Sequence, residues 1–123
     1  MTCFLLADDN PDLRSALRLM LELRLNAPRV IEANDYAHLI EQSLAHNPDS
    51  LILDWELPGL VGGSHLTALP NLLPDLKIIV TSARPEAAQA AAAAQADAFI
   101  CQTDPPSEIL HAIHCLNEID RGR

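Results

Sequence analysis

Lysine is almost absent from this chain, aromatic side chains are few, and no apolar run is long. Among 123 residues Lys77 is the single lysine, and Lys and Arg together number 8 against 17 Asp and Glu. The formal charge of -9 repels a phosphate backbone and no stripe of basic residues offsets it, which argues against direct nucleic-acid binding. Aromatics make up 3% of residues, so the core must come from Leu, Ile, Val and Ala, which the 49% apolar content supplies. Asp8 and Asp9 cut short any secretory apolar segment near the start, and no later run approaches the roughly 18 residues of a membrane span. A cytoplasmic address is the expectation. Cys3, Cys101 and Cys115 are odd in number, widely spaced and without metal-ligand spacing, so they read as buried, reduced thiols and not as a disulfide framework.

What is present is an alternation. Short apolar runs (Cys3 to Ala7, Leu51 to Leu53, Leu76 to Val80, Ala98 to Cys101) lack polar residues at every second position, the pattern of strands buried on both faces. A weaker strand is read at Arg29 to Glu32. Between the runs lie helical patterns. Asn10 caps the first, Pro11 suits its first turn, and Leu13, Leu17, Met20 and Leu21 recur at helical spacing. The second runs from about Tyr36 to Ala45, before Asn47-Pro48-Asp49; a short third runs from Ser64 until Pro70 interrupts it. Seven alanines between Pro85 and Gln95 mark the fourth, and Pro105-Pro106-Ser107-Glu108 opens the last, with Ile109, Ile113 and Leu116 inward. Five strands alternating with five helices predict one domain, 1–123, with a doubly wound α/β fold: a parallel sheet in the flavodoxin-like order 2-1-3-4-5, covered on both faces. In such folds ligands bind beyond the carboxyl ends of the strands.

Three carboxylates stand there. Asp8 and Asp9 close the first strand and Asp54 closes the third, its neighbour in that order. Grouped carboxylates repel one another unless a cation neutralises them, and an all-oxygen site suits Mg²⁺. With the charge offset, Asp54 can act as a nucleophile and form an aspartyl phosphate. Ser82 ends the next strand and can donate its hydroxyl to a phosphoryl oxygen, as can backbone amides of the Trp55 to Gly59 loop. The bland reading of these aspartates and of Ser82 is turn and helix capping.

Leu6-Ala7-Asp8-Asp9, Leu51-Ile52-Leu53-Asp54 followed by Leu57-Pro58-Gly59 and Gly62, and Val80-Thr81-Ser82-Ala83 together resemble the receiver domains of response regulators, over the whole chain. The resemblance implies that a partner histidine kinase or phosphotransfer protein phosphorylates Asp54. It implies that Asp9, Asp54 and the Glu56 backbone carbonyl bind Mg²⁺, with Asp8 acting through water. It makes Ser82 and Phe99 the switch residues, and the last strand with its flanking helices the face that docks partners or a second copy. A receiver catalyses its own phosphorylation and is not a turnover enzyme. The sequence stops soon after the last helical pattern, so a stand-alone receiver or a piece cut from a longer protein is expected.

One departure stands out. The family carries a lysine three residues after the switch aromatic, where this chain has Gln102. Lys77 lies five residues before Ser82, about 16 Å away along a strand, and cannot replace it. A neutral hydrogen bond contributes about 0.5 to 1.5 kcal/mol against about 1.5 to 3 for a charged one, so weaker phosphorylation or readout is expected. Arg84 either reaches inward as a substitute cation or pairs with Glu56 across the pocket mouth. The departure also motivates an alternative, a pseudo-receiver that docks partners without phosphate. A phosphohydrolase working through an aspartyl phosphate is disfavoured by the missing lysine and by the absence of a cap region. His111, His114 and Cys115 on the last helix read as a solvated face and not as a metal site, His38, His46 and His65 carry no assigned role, and the Ala90 to Ala94 run reads as ordinary helix.

Overall fold

The computed structural model describes residues 2–26, 28–105 and 107–121, the stretch 117–121 by its backbone alone. Pro106, expected in the opening of the last helix, lies outside the described residues. Five strands alternate with five helices: β1 (Cys3–Ala7), α1 (Pro11–Arg24), β2 (Arg29–Ala33), α2 (Tyr36–His46), β3 (Ser50–Asp54), α3 (Gly62–Leu72), β4 (Lys77–Ser82), α4 (Ala87–Ala93), β5 (Ala98–Cys101) and α5 (Ser107–Arg121). All strand pairs are parallel and the sheet order is β2-β1-β3-β4-β5, the doubly wound arrangement expected from the alternation.

Strand side chains point alternately to the two faces, and in the central strands both sets are apolar. Leu5, Ala7, Leu51, Leu53, Ile78 and Val80 pack with Leu39 of α2, Leu66 and Leu69 of α3 and Ala91 of α4. Phe4, Leu6, Ile52 and Ile79 face the other way, onto Leu17 and Leu21 of α1 and Ile109 and Ile113 of α5. β1 and β3 are buried throughout, whereas the edge strands β2 and β5 are partly exposed. β2 admits Arg29 and Glu32 at its exposed edge and so carries the weaker apolar signal, whereas β5, expected to be buried on both faces, is wholly apolar yet only half-buried along its length because it is the other edge strand.

The Asn10 side chain accepts from the Asp12 and Leu13 amides and so starts α1 directly after the first strand's acidic pair, with Pro11 in the first turn. α3 departs from expectation: it begins at Gly62 and continues through Pro70 to Leu72. Proline removes only its own amide bond, and buried Leu66, Leu69 and Leu73 hold the last turn to the core, with the Leu73 amide bonding to the Leu69 carbonyl. α4 covers only Ala87–Ala93 of the alanine stretch, and Gln95 follows it with a positive φ of 68°. The three cysteines are free, but only Cys3 is buried; Cys115 stands exposed, because α5 turns Ile109 and Ile113 inward. Among the described residues no helix is long and apolar enough to cross a membrane.

Candidate functional site

The register that pairs Ala7 with Leu53 places the residues following β1 beside the end of β3. Asp8, Asp9 and Asp54 therefore converge, each offering a carboxylate oxygen that lies within 4.8 Å of the others. Asp8 and Asp54 are buried and Asp9 is exposed, so the cluster opens to solvent on the side of Asp9. An octahedral shell with bonds of about 2.1 Å places opposite oxygens about 4.2 Å apart, so a small closing movement brings these donors onto a hard cation. The donor set fits such an ion, with room left for water.

Burial pushes the Asp54 carboxyl up to about 6; the Glu56 amide draws it back, and the negative charges of Asp8, Glu56 and Asp9 add to the rise. Asp8 is raised in the same way, chiefly by burial, against the Asn10 amide and the Arg14 guanidinium that favour its charge. Crowded, half-dry carboxylates of this kind are poised for a positive charge.

Asp54 Oδ1 accepts the Glu56 amide at 3.0 Å. The other loop amides differ from expectation. Trp55 N–H donates to the Thr81 carbonyl and Leu57 N–H to the Asp54 carbonyl, so these two are spent on the turn and only Glu56 presents its amide to the carboxylate. Gly59 adopts φ +83°, and a β-carbon there would meet the Tyr36 Cβ at 3.3 Å. The loop is held from outside as well: the Tyr36 amide donates to the Pro58 carbonyl, and the Tyr36 ring stacks on His65 with centroids 4.0 Å apart. His65 Nδ1 in turn accepts the Val61 amide at the start of α3, giving a role to a histidine that the sequence left without one.

Ser82 is fully buried at the end of β4. Its hydroxyl donates to Glu56 Oε1 at 2.6 Å and accepts the Arg84 amide at 3.0 Å, so it caps a local turn and faces the pocket at once. Arg84 Nε lies 3.3 Å from the same Glu56 oxygen. Of the two positions expected for Arg84, the structure shows the pairing with Glu56. Phe99, opposite Val80 on β5, packs half-buried against the core beneath α2, α3 and α4. Gln102 is exposed; its backbone N–H donates to the Ser82 carbonyl, and the residue lines a cavity of about 60 Å³ with Leu13, Thr81, Ile100 and Ile109 on the α1 and α5 side of the sheet. His111 and His114 are exposed, and the His111 ring approaches Cys115 Sγ at 3.6 Å, one helical turn away.

Arg14 went unnoticed in the sequence. It bonds the Asp8 carbonyl at 2.6 Å and Glu32 of β2 at 2.9 Å, and Arg18 reaches the other Glu32 oxygen at 2.6 Å. The available signal was its place four residues after the capping Asn10, one turn along the helix and facing back toward the acidic pair.

The profile described as the response regulator receiver domain matches residues 4–114. The fimbriae Z protein of Escherichia coli K12 is 25% identical over 117 residues, which cover 94% of this chain and 56% of that protein. The transcriptional activator protein ExaE of Pseudomonas putida is 31% identical over 111 residues, 89% of this chain and 52% of its own length. The chain thus spans about half the length of these relatives. A crystal structure of a response regulator from Burkholderia pseudomallei, with a phosphorylated aspartic acid, calcium ion and citrate, superposes with a TM-score of 0.78 at 24% identity, covering 96% of this chain and 72% of that one. With the profile running from β1 into α5 and the sheet wound in the order that brings Asp8 beside Asp54, the chain belongs to the response regulator receiver domains of two-component signalling.

Proposed function

We propose that Asp54 receives a phosphoryl group from a histidine kinase or phosphotransfer protein, and that the modified chain presents a changed surface to its partner. The convergence of Asp8, Asp9 and Asp54 at the ends of two adjacent strands, with the Ser82 hydroxyl on the next strand, carries this reading. Asp9, Asp54 and the Glu56 carbonyl would hold Mg²⁺, with Asp8 acting through water, and the ion would supply the positive charge that neutralises the pocket and screens the incoming phosphoryl group. Asp54 Oδ1 is engaged by the Glu56 amide, which leaves Oδ2 to attack phosphorus; the bond from phosphorus to the donor nitrogen breaks, and the leaving imidazole takes up a proton. Ser82 stabilises the transferred group through its hydroxyl. The calcium ion and phosphorylated aspartic acid of the Burkholderia pseudomallei protein support the assignment by analogy of fold.

The domain acts once per phosphorylation and turns over no separate substrate. Phe99 and Ser82 transmit the change toward β5, and the face made by β5 with α4 and α5 docks a partner or a second copy. The cytoplasm, where kinases of this class work, is its place of action. Intact mass after incubation with Mg²⁺ and a small phosphodonor tests the reading: the chain gains one phosphoryl group, Asp54→Asn gains none, and Trp55 fluorescence responds to Mg²⁺ in the unaltered protein. An adduct that survives in Asp54→Asn, or no adduct in either, overturns it.

A further inference from the structure

One oxygen of Glu56 serves two donors. Oε1 accepts the Ser82 hydroxyl at 2.6 Å and the Arg84 Nε at 3.3 Å, so a single carboxylate oxygen separates the hydroxyl from the guanidinium. The Arg84 backbone amide is fixed to the Ser82 oxygen at 3.0 Å, which keeps the residue beside the pocket whatever its side chain does. The Arg84 and Glu56 side chains are 54% and 39% exposed, so both can change partner without disturbing the core. Lys77 begins β4 at the opposite end of the sheet, and the residue following β5 is the neutral Gln102. Arg84 is the cation that the chain carries past this end of β4.

Resting on the phosphoacceptor reading, we propose that Arg84 exchanges partners when Asp54 is phosphorylated, leaving Glu56 for the phosphoryl oxygens and supplying the positive charge that Gln102 does not. A phosphoryl group brings up to two negative charges and three strong acceptor oxygens, and it repels the Glu56 carboxylate while attracting both of that carboxylate's donors. Glu56 holds the guanidinium and the hydroxyl together at the pocket mouth until the stronger acceptor arrives. Its departure then releases Ser82 and Arg84 in one step. No covalent bond changes in this exchange; the two hydrogen bonds to Glu56 are re-paired, by side-chain rotation alone.

The test follows phosphorylation of the full chain by a small phosphodonor with Mg²⁺, read by intact mass. Arg84→Ala slows the gain by roughly ten- to a hundredfold, the value of one charge-assisted bond made only when the phosphoryl is in place. Arg84→Lys recovers most of that loss, because it restores charge without the planar fork. Glu56→Gln, which removes the competing charge and keeps the backbone carbonyl, accelerates the gain several-fold. A second readout needs no transfer: the Arg84 Nε–H resonance shifts when beryllofluoride and Mg²⁺ are added, and in Asp54→Asn it does not. An Arg84→Ala rate equal to that of the unaltered chain, or an Nε–H signal that ignores beryllofluoride, overturns the exchange while the phosphoacceptor reading stands. An unaltered chain that gains no mass overturns both.

Discussion

Asp54 costs the metal-free protein stability, and Asp54→Asn isolates that cost. The carboxyl rises from 3.8 to about 6 on folding. The folded state therefore binds the extra proton between those values, and stability falls as pH rises through that window and stays reduced above it. A rise of about two pH units corresponds to an upper bound of about 3 kcal/mol; water entering past the exposed Asp9 screens part of it, leaving about 1 to 2 kcal/mol. The amide that replaces the carboxylate keeps an oxygen for the Glu56 amide, so the 3.0 Å bond survives while the charge goes. At pH 7.5 without divalent cations, Asp54→Asn is expected to melt about 4 to 8 °C higher, at about 4 °C per kcal/mol for a domain of this size. At pH 4 the two proteins converge, because the unaltered Asp54 is then protonated when folded. Mg²⁺ raises the melting temperature of the unaltered protein and acts much less on the variant. Thermal unfolding followed by circular dichroism across this pH range provides the assay. A variant no more stable at pH 7.5, or an advantage that persists undiminished at pH 4, refutes the argument from crowded charge.

Three further substitutions probe the frame around the pocket. Gly59→Ala forces a side chain into a φ of +83° and against Tyr36, and is expected to lower stability by about 1 to 2 kcal/mol in urea unfolding. Arg14→Gln frees the Asp8 carbonyl and half of Glu32; a Mg²⁺ titration followed by Trp55 fluorescence is expected to weaken by about tenfold, with stability reduced by about 1 kcal/mol because Arg18 still holds Glu32. Ser43→Ala removes the buried hydroxyl of α2 that has no hydrogen-bond partner among the described residues, and is expected to be neutral or to stabilise by up to about 1 kcal/mol in the same unfolding experiment.

The bounds of β1 and β5 and the start of α1 were readable in the sequence because each is decided locally, by an uninterrupted apolar run, buried in β1 and half-buried in β5, or by Asn10 with Pro11. Parallel pairing then brought Asp8, Asp9 and Asp54 together as the alternation required. α3 was misjudged because the helix-breaking tendency of Pro70 was weighed without the leucines that hold its last turn. The network of Glu56, Ser82 and Arg84 was only half legible: spacing put Arg84 near Glu56, but that the carboxylate also takes the Ser82 hydroxyl depends on two loops meeting in space. Arg14 and Glu32 join elements through long side chains whose reach no periodicity encodes.

The alanine surface of α4 has a mechanical consequence. Its inward contacts are Ala87, Ala91 and the following Ala94, where α1 and α5 bring leucines and isoleucines. Each buried methyl contributes about 0.8 kcal/mol, so α4 is tied to the sheet by far less apolar area than its neighbours. Where it meets α3, Ala94 faces Gly63, and a β-carbon at Gly63 would come within 3.4 Å of the Ala94 Cβ. The segment that follows Arg84 is thus the element most easily lifted or slid, a smooth-faced part on a sheet otherwise held by deep aliphatic teeth.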